Sequence, residues 1–188
     1  INPIQKKQFE QLGLLYREWN SKINLISRKD IDYLYERHIL HSLAIAKYIS
    51  FKPGTKILDI GTGGGFPSVP LAIYFPHVHF FALDSITKKI MAVDAISKDT
   101  GLTNITSICL RAELFTQQVD FVVSRATAPL SDLVKWSKGK VLSKNKNAIP
   151  NGIICLKGGD LKEEMLPLRK KVIIEPVTNY INSVQFES

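Results

Sequence analysis

Asp59-Ile60-Gly61-Thr62-Gly63-Gly64-Gly65 sets a carboxylate and then glycines at alternating positions directly after the apolar pair Ile57-Leu58. A buried parallel strand that runs into such a loop brings bare backbone N–H groups to a crevice, where no Cβ holds a ligand off. An Asp ahead of the first glycine suits a ligand whose loop-facing end is a zwitterionic amino acid. That is the pattern of S-adenosylmethionine sites, so Asp59, Gly61, Gly63, Gly65 and Phe66 are expected to bind cofactor. Asp84 closes the next apolar run, about 20 residues further on, where a carboxylate accepts hydrogen bonds from a ribose diol. A nicotinamide dinucleotide fits less well. Its fingerprint wants a third glycine where Phe66-Pro67 stands, and Phe obstructs the close approach of a pyrophosphate to a helix N-terminus. The loop also lacks the Lys-Ser/Thr ending of a phosphate-binding P-loop.

Ligands of open α/β sheets sit beyond the carboxyl ends of the strands, so the residues just after each apolar run carry the information. These are Arg111, Ala112 and Glu113, which could flank an adenine, then Arg125, then Lys157-Gly158-Gly159. His38 and His41 lie three apart on a helix with no third ligand nearby; satisfied or exposed side chains are expected, and no metal site. Cys109 and Cys155 sit in apolar runs and read as buried, reduced thiols of a cytosolic protein. Trp19 and Trp136 could stack on bases, but helix core is their default.

The elements that must position these groups follow from periodicity. Phe9, Leu12, Tyr16 and Trp19 predict a helix over Pro3–Trp19; Asp30 is a candidate N-cap for a second helix to about Ile49. Strands are predicted at Lys56–Ile60, Val78–Leu83, Ile105–Leu110, Val119–Ser124 and Gly152–Leu156, with weaker candidates at Val172–Ile174 and Ser183–Phe186. Helices are expected from the Gly loop to Tyr74, from Thr87 to Lys98 and near Leu130–Trp136. Alternation of this kind predicts an α/β fold with a mostly parallel central sheet flanked by helices. Residues 1–50 are expected as an N-terminal helical extension packed on a core spanning 51–188, a single domain overall.

The 188 residues are 45% hydrophobic and 22% charged, an ordinary globular balance. No apolar run approaches the roughly 20 residues of a membrane helix, and no signal-peptide pattern opens the chain. Net charge is +8. From Leu133 to Gly159 there is no Asp or Glu, while Lys135, Lys138, Lys140, Lys144, Lys146 and Lys157 stand in the stretch. Such a block attracts a polyanion by counterion release, or is merely a solvated loop. Lys135, Lys138, Lys140, Lys144 and Lys146 are the candidate RNA-binding residues. The residues alone leave open a methyltransferase for RNA, protein or small molecules, a non-catalytic RNA-binding protein, and a ligandless α/β domain with a tight Gly turn.

An ordered set of segments narrows this. Asn24-Leu25-Ile26-Ser27, Arg37-His38-Ile39-Leu40 with Ser42, Asp59 to Pro67, Leu83-Asp84-Ser85 with Lys88-Lys89, Arg111-Ala112-Glu113, Val123-Ser124-Arg125-Ala126 and Leu156-Lys157-Gly158 span most of the chain. Together they resemble the bacterial rRNA small subunit methyltransferase G family, also called glucose-inhibited division protein B, which makes 7-methylguanosine in the 530 loop of 16S rRNA. Gly64 stands where that family usually has Pro, Ser68 where it has Gly, and His41 where a carboxylate follows Arg-His-x-Leu. The resemblance implies a Rossmann-like class I S-adenosylmethionine-dependent methyltransferase in the cytoplasm, with S-adenosyl-L-methionine as cofactor. Its partner would be 16S rRNA or the small ribosomal subunit; it would have no membrane association and would act as a monomer. It also implies that Gly61, Phe66, Ala112, Glu113 and Arg125 line the cofactor pocket with Asp84 near the ribose. Asn24, Arg37 and Lys157 would position substrate near methyl transfer, with no general base.

Overall fold

Every side chain of β1 (Lys56–Ile60) after the first is buried, so this strand must lie at the centre of the molecule. The computed structural model, which describes residues 1–125, 128–168 and 172–181, sets β1 between β2 (His79–Asp84) and β4 (Phe121–Arg125). With β3 (Ile105–Cys109) and β5 (Gly152–Leu156) these form a parallel sheet in the order β3-β2-β1-β4-β5. In register, Leu58 lies between Phe81 and Val122. The strand order reverses between β1 and β4, which opens a crevice beyond their carboxyl ends. This is the expected Rossmann-like α/β fold.

Side-chain alternation gives the sheet two apolar faces. Ile57, Phe80, Phe121 and Val123 pack with residues of α2 (His41–Tyr48) and α3 (Ser68–Tyr74). Leu58, Ile60, Phe81, Leu83 and Val122 pack on the other side with Ala112, Phe115 and Leu133 of α5 (Leu130–Ser137). Asp59 shares the face of Ile57, which puts a carboxylate under the start of α3. α4 (Thr87–Asp99) joins β2 to β3 and is followed by Gly101 at φ +70°.

α1 (Pro3–Lys22) opens with a capping box between Asn2 and Gln5 and runs three residues past the predicted end. Its Gln5 side chain donates to the Ile73 and Tyr74 carbonyls, and Gln8 to that of Thr100. α1 therefore begins beside the C-terminal ends of α3 and α4. Leu12 and Tyr16 are fully buried in a cluster with Val69, Ile73, Val93 and Ile96. The far end of α1, and the loop after it, arrive at the carboxyl edge of the sheet.

The predicted continuous helix from Asp30 to Ile49 does not form. A 3₁₀ turn (Ile31–Tyr33) and a π-helical stretch (Leu34–Leu40) precede α2. Leu34 and Ile39, five apart, are both buried, a spacing that a π turn accommodates. Asp30 makes no capping bond, because its carboxylate pairs with Arg37 at 2.6 Å. β4 starts at Phe121; Val119 instead makes an isolated bridge with Val141. Val172–Ile174 is no strand, and Ile173 and Ile174 are exposed; the Ser183–Phe186 candidate lies outside the described residues. Cys109 is exposed rather than buried, while burial pushes the half-buried Cys155 thiol up to about 11. Trp19 and Trp136 both pack against core clusters. Among the described residues no helix is long and apolar enough to cross a membrane.

Candidate functional site

The loop after β1 is folded onto the end of β2. Gly61 and Thr62 both donate their N–H groups to the Leu83 carbonyl at 2.9 Å. Gly63 N–H donates to Asp84 Oδ2 at 3.0 Å, and Asp84 Oδ1 accepts from Ile86 N–H at 2.9 Å. The acid that ends β2 is thus bonded directly to the glycine hairpin. Gly65 has φ +92°, and a Cβ there would stand 2.7 Å from Val69 Cγ2, so a side chain is excluded on both counts. Beneath the hairpin Asp59 is wholly buried. Its Oδ2 accepts from Thr62 Oγ1 (2.7 Å) and Ser68 N–H (3.2 Å), whereas Oδ1 is buried with no partner. Burial pushes the Asp59 carboxyl up to about 6, with the hydroxyl bonds and Arg125 opposing the rise.

A buried carboxylate oxygen with no donor suits a ligand that brings N–H groups, such as an α-ammonium. The Asp59 carboxylate beneath the hairpin would repel a pyrophosphate. The residues therefore fit S-adenosylmethionine and disfavour a dinucleotide.

A second cluster closes one wall. Phe66 is 2% exposed and stacks on Tyr16 at 4.9 Å between ring centroids. The His38 ring lies 5.3 Å away, and the Arg125 guanidinium 5.0 Å over the Phe66 ring. The Tyr16 hydroxyl, from α1, donates to the Gly64 carbonyl at 2.7 Å. Arg125 donates to the Arg37 carbonyl (3.2 Å) and bonds His38 Nδ1 at 2.8 Å. A guanidinium has only donors, so Nδ1 must accept and the ring proton sits on Nε2. Burial, then Arg125, lower His38 to about 4, which keeps it neutral; its Nε2 is buried without a partner. Burial and Arg125 lower His41 to about 4 as well. No sequence signal distinguished Tyr16 from an ordinary core residue, and His38, noted in the Arg37-His38-Ile39-Leu40 segment, had no role assigned. Thr62 and Ser68 were visible only as hydroxyls near Asp59 in the loop.

The other expected residues fall around these. Ala112 (buried) and Glu113 (exposed) form a 3₁₀ turn at the end of β3, next to Asp84. Asn24 is exposed in the loop that rests on the hairpin; an added Cβ at Gly64 would meet the Leu25 carbonyl at 3.2 Å. Arg37 pairs with Asp30 and lies 4.1 Å over the Tyr33 ring. Lys157, at the end of β5, pairs with Glu164, which also accepts from Leu130 N–H at 3.0 Å. That carboxylate was not anticipated.

Of the five candidate RNA-binding lysines, Lys135 is on α5, and Lys138, Lys140, Lys144 and Lys146 are not beside this crevice. After β4 the chain passes to α5 and must return to the amino edge before β5 can run parallel. The segment 138–151 lies there, against the residues that begin β1 and β4. Lys140 is only 8% exposed, and Lys146 bonds the Gly54 carbonyl (2.7 Å) and pairs with Asp120 (3.0 Å). Lys135, Lys138 and Lys144 are exposed and, among the described residues, have no acid partner. The carboxyl edge has cations of its own: Arg28 and Lys29 in the loop that carries Asn24, Lys88 and Lys89 in the first turn of α4, and Arg111. Among the described residues, no group of His, Cys, Asp or Glu could hold a metal ion.

Comparison with known proteins bears on the whole length. The family model described as rRNA small subunit methyltransferase G matches residues 5–186. The protein named ribosomal RNA small subunit methyltransferase G in Bacteroides thetaiotaomicron is 52% identical over 184 residues, covering 98% of this chain and 89% of that one. Proteins of the same name in Porphyromonas gingivalis and Phocaeicola vulgatus are 52% and 53% identical. These matches cover 93% and 95% of this chain and 80% and 86% of theirs.

Proposed function

The chain belongs to the rRNA small subunit methyltransferase G family, and we propose that it transfers a methyl group from S-adenosylmethionine to N7 of a guanine in the 530 loop of 16S rRNA. The observation that carries the cofactor half of this reading is the glycine hairpin bonded to Asp84 above an unpartnered Asp59 oxygen. Asp59 Oδ1 would accept from the amino-acid end of the cofactor, and Asp84 from the ribose diol. Ala112 and Glu113 would flank the adenine, with Phe66 and Arg125 forming a wall. When bound, S-adenosylmethionine supplies an electrophilic methyl group on sulfonium.

Guanine N7 carries an in-plane lone pair and has no proton to lose, so its attack needs no general base. The histidines fit that requirement: lowered to about 4, both are poor proton acceptors, and His38 Nδ1 is committed to Arg125. Alignment of the reacting atoms would then supply most of the acceleration, about 7–11 kcal/mol at best. The base has to leave its stack to reach the crevice. Arg28, Lys29, Lys88 and Lys89 would hold phosphates beside it, fixing register without reading sequence. Asn24 and Arg37 would stand near the incoming base, and Lys157 at the β5 end of the crevice is oriented by Glu164. The chain would act in the cytoplasm, as a monomer, on the small subunit or its RNA.

The test supplies labelled S-adenosylmethionine with small subunits, or 16S rRNA, that lack the mark and then maps the label. Label at a guanine N7 is expected. Label on an exocyclic amine or a ribose, or none in RNA, overturns the proposal.

A further inference from the structure

The lysine-rich segment 138–151 is built too firmly to be a solvated tether. Asn147 Oδ1 accepts from Lys52 N–H (2.8 Å) and Thr55 Oγ1 (3.2 Å), just ahead of β1. Asn151 Nδ2 donates to the Leu142 and Lys144 carbonyls, each at 3.0 Å, and Asn151 N–H donates to Asn145 Oδ1 at 2.8 Å. Val119 N–H bonds the Lys140 carbonyl, and Leu142 N–H that of Val119. Lys146 spends its charge on Asp120, a carboxylate only 2% exposed. The bonds of Asn147, Lys140, Leu142 and Lys146 tie the segment to the beginnings of β1 and β4, and those of Asn151 brace it internally just ahead of β5.

The pinning gathers charge at the amino edge. Lys138 and Lys144 come to the end of the sheet where Lys52 and Lys56 stand, before and at the start of β1. All four are exposed, and among the described residues none pairs with an acid. Asp120, the acid at this edge, is already taken by Lys146 and Lys56 N–H. The patch therefore carries uncompensated self-repulsion that a polyanion would relieve through counterion release. A protein partner or a lipid surface would be met by apolar anchors. Residues 52–56 and 138–151 hold no exposed large apolar side chain.

We propose that Lys52, Lys56, Lys138 and Lys144 form a second RNA-phosphate contact face, at the end of the sheet opposite the cofactor crevice. This rests on the RNA substrate proposed above and extends it: the substrate must be a folded RNA large enough to reach both edges. A five-residue strand spans about 16 Å, roughly twice the Debye length of about 8 Å at physiological salt. The lysines are thus screened from phosphates at the crevice and must touch a separate stretch of RNA.

The test compares the wild type with the combined variant K52Q/K56Q/K138Q/K144Q in binding two RNAs: 16S rRNA and a short hairpin carrying the target guanine. For 16S rRNA at physiological salt we expect at least a tenfold loss of affinity, and a slope of log affinity against log salt shallower by about 3. Hairpin binding should stay within twofold, and so should affinity for S-adenosylmethionine. An unchanged slope and affinity for 16S rRNA overturn the face, and so does an equal loss on both RNAs. Binding is read without methyl transfer. A wild type that binds 16S rRNA through these lysines yet labels no guanine would therefore sink the proposed reaction and leave this face standing.

Discussion

Arg125 has five donors and no acceptor, and that asymmetry dictates the chemistry of the ring beside it. His38 serves as an acceptor and is kept neutral for the purpose. His38→Phe would keep a ring against Phe66 while deleting the acceptor, so its dissociation constant for S-adenosylmethionine should rise about tenfold, the 1.4 kcal/mol of one charged hydrogen bond. His38→Gln, which can still accept, should recover most of that loss in the same calorimetric titration. Asp84→Ala should weaken cofactor binding far more than RNA binding; equal losses would remove its ribose role. Acidity reports on the same cluster. Asp59 is raised from 3.8 to about 6, so its contribution to stability is complete below about pH 4 and lost as pH rises through 6. His38 and His41 are lowered from 6.5 to about 4; their contribution is complete above pH 6.5 and lost as pH falls through 4. Two histidines outweigh one carboxylate. Urea midpoints should fall between pH 7 and pH 5, and Asp59→Asn should make that fall steeper.

At the scale of elements, the hairpin and the lysine segment fail in different ways when altered. Gly65→Ala forces a Cβ onto Val69 in a left-handed backbone, which should cost at least about 2 kcal/mol and abolish cofactor binding. Asn147→Ala leaves Lys52 N–H without its acceptor, while the Thr55 hydroxyl keeps its shorter bond to the Lys52 carbonyl at 2.7 Å. It should cost about 1–2 kcal/mol in denaturant melts and leave cofactor affinity untouched. The strands β1, β2, β4 and β5 were legible in the sequence because covered faces of a parallel sheet make each read as an apolar run; edge strand β3, with Thr106 and Ser107 and no fully buried residue, carried a weaker form of that signal. Residues 31–40 were not legible. Their winding is settled by Tyr35, whose hydroxyl accepts from Gly13 N–H and donates to α1 carbonyls, and by the Asp30–Arg37 pair, contacts that no periodicity encodes. The lysine run illustrates a different gap. Its charge was plain, yet charge carries no direction; only the crossover rule says that a chain leaving α5 finishes at the amino edge.

For the whole molecule, the cofactor should act as a structural ligand. At a hundredfold excess over its dissociation constant it should add about 2.7 kcal/mol to stability, raising Tm by about 5–10 °C. A melt that does not move with S-adenosylmethionine or its demethylated product would count against the pocket. The acids and glycines of that pocket were readable because they are close in sequence. The Tyr16–Gly64 and Arg125–His38 bonds join positions far apart in the chain, and only folding brings them into contact.

That the hairpin is braced from α1 has a consequence for biosynthesis. Leu12 and Tyr16 also pack on Val69, Ile73, Val93 and Ile96, so about 80 residues beyond Tyr16 must be translated before the last of these partners exists. At about 5–20 residues per second that is a wait of about 4–16 s. Throughout it the apolar stripe of this segment has only Leu25, Ile26, Leu34 and Ile39 to cover it, which makes it a natural target for a nascent-chain chaperone.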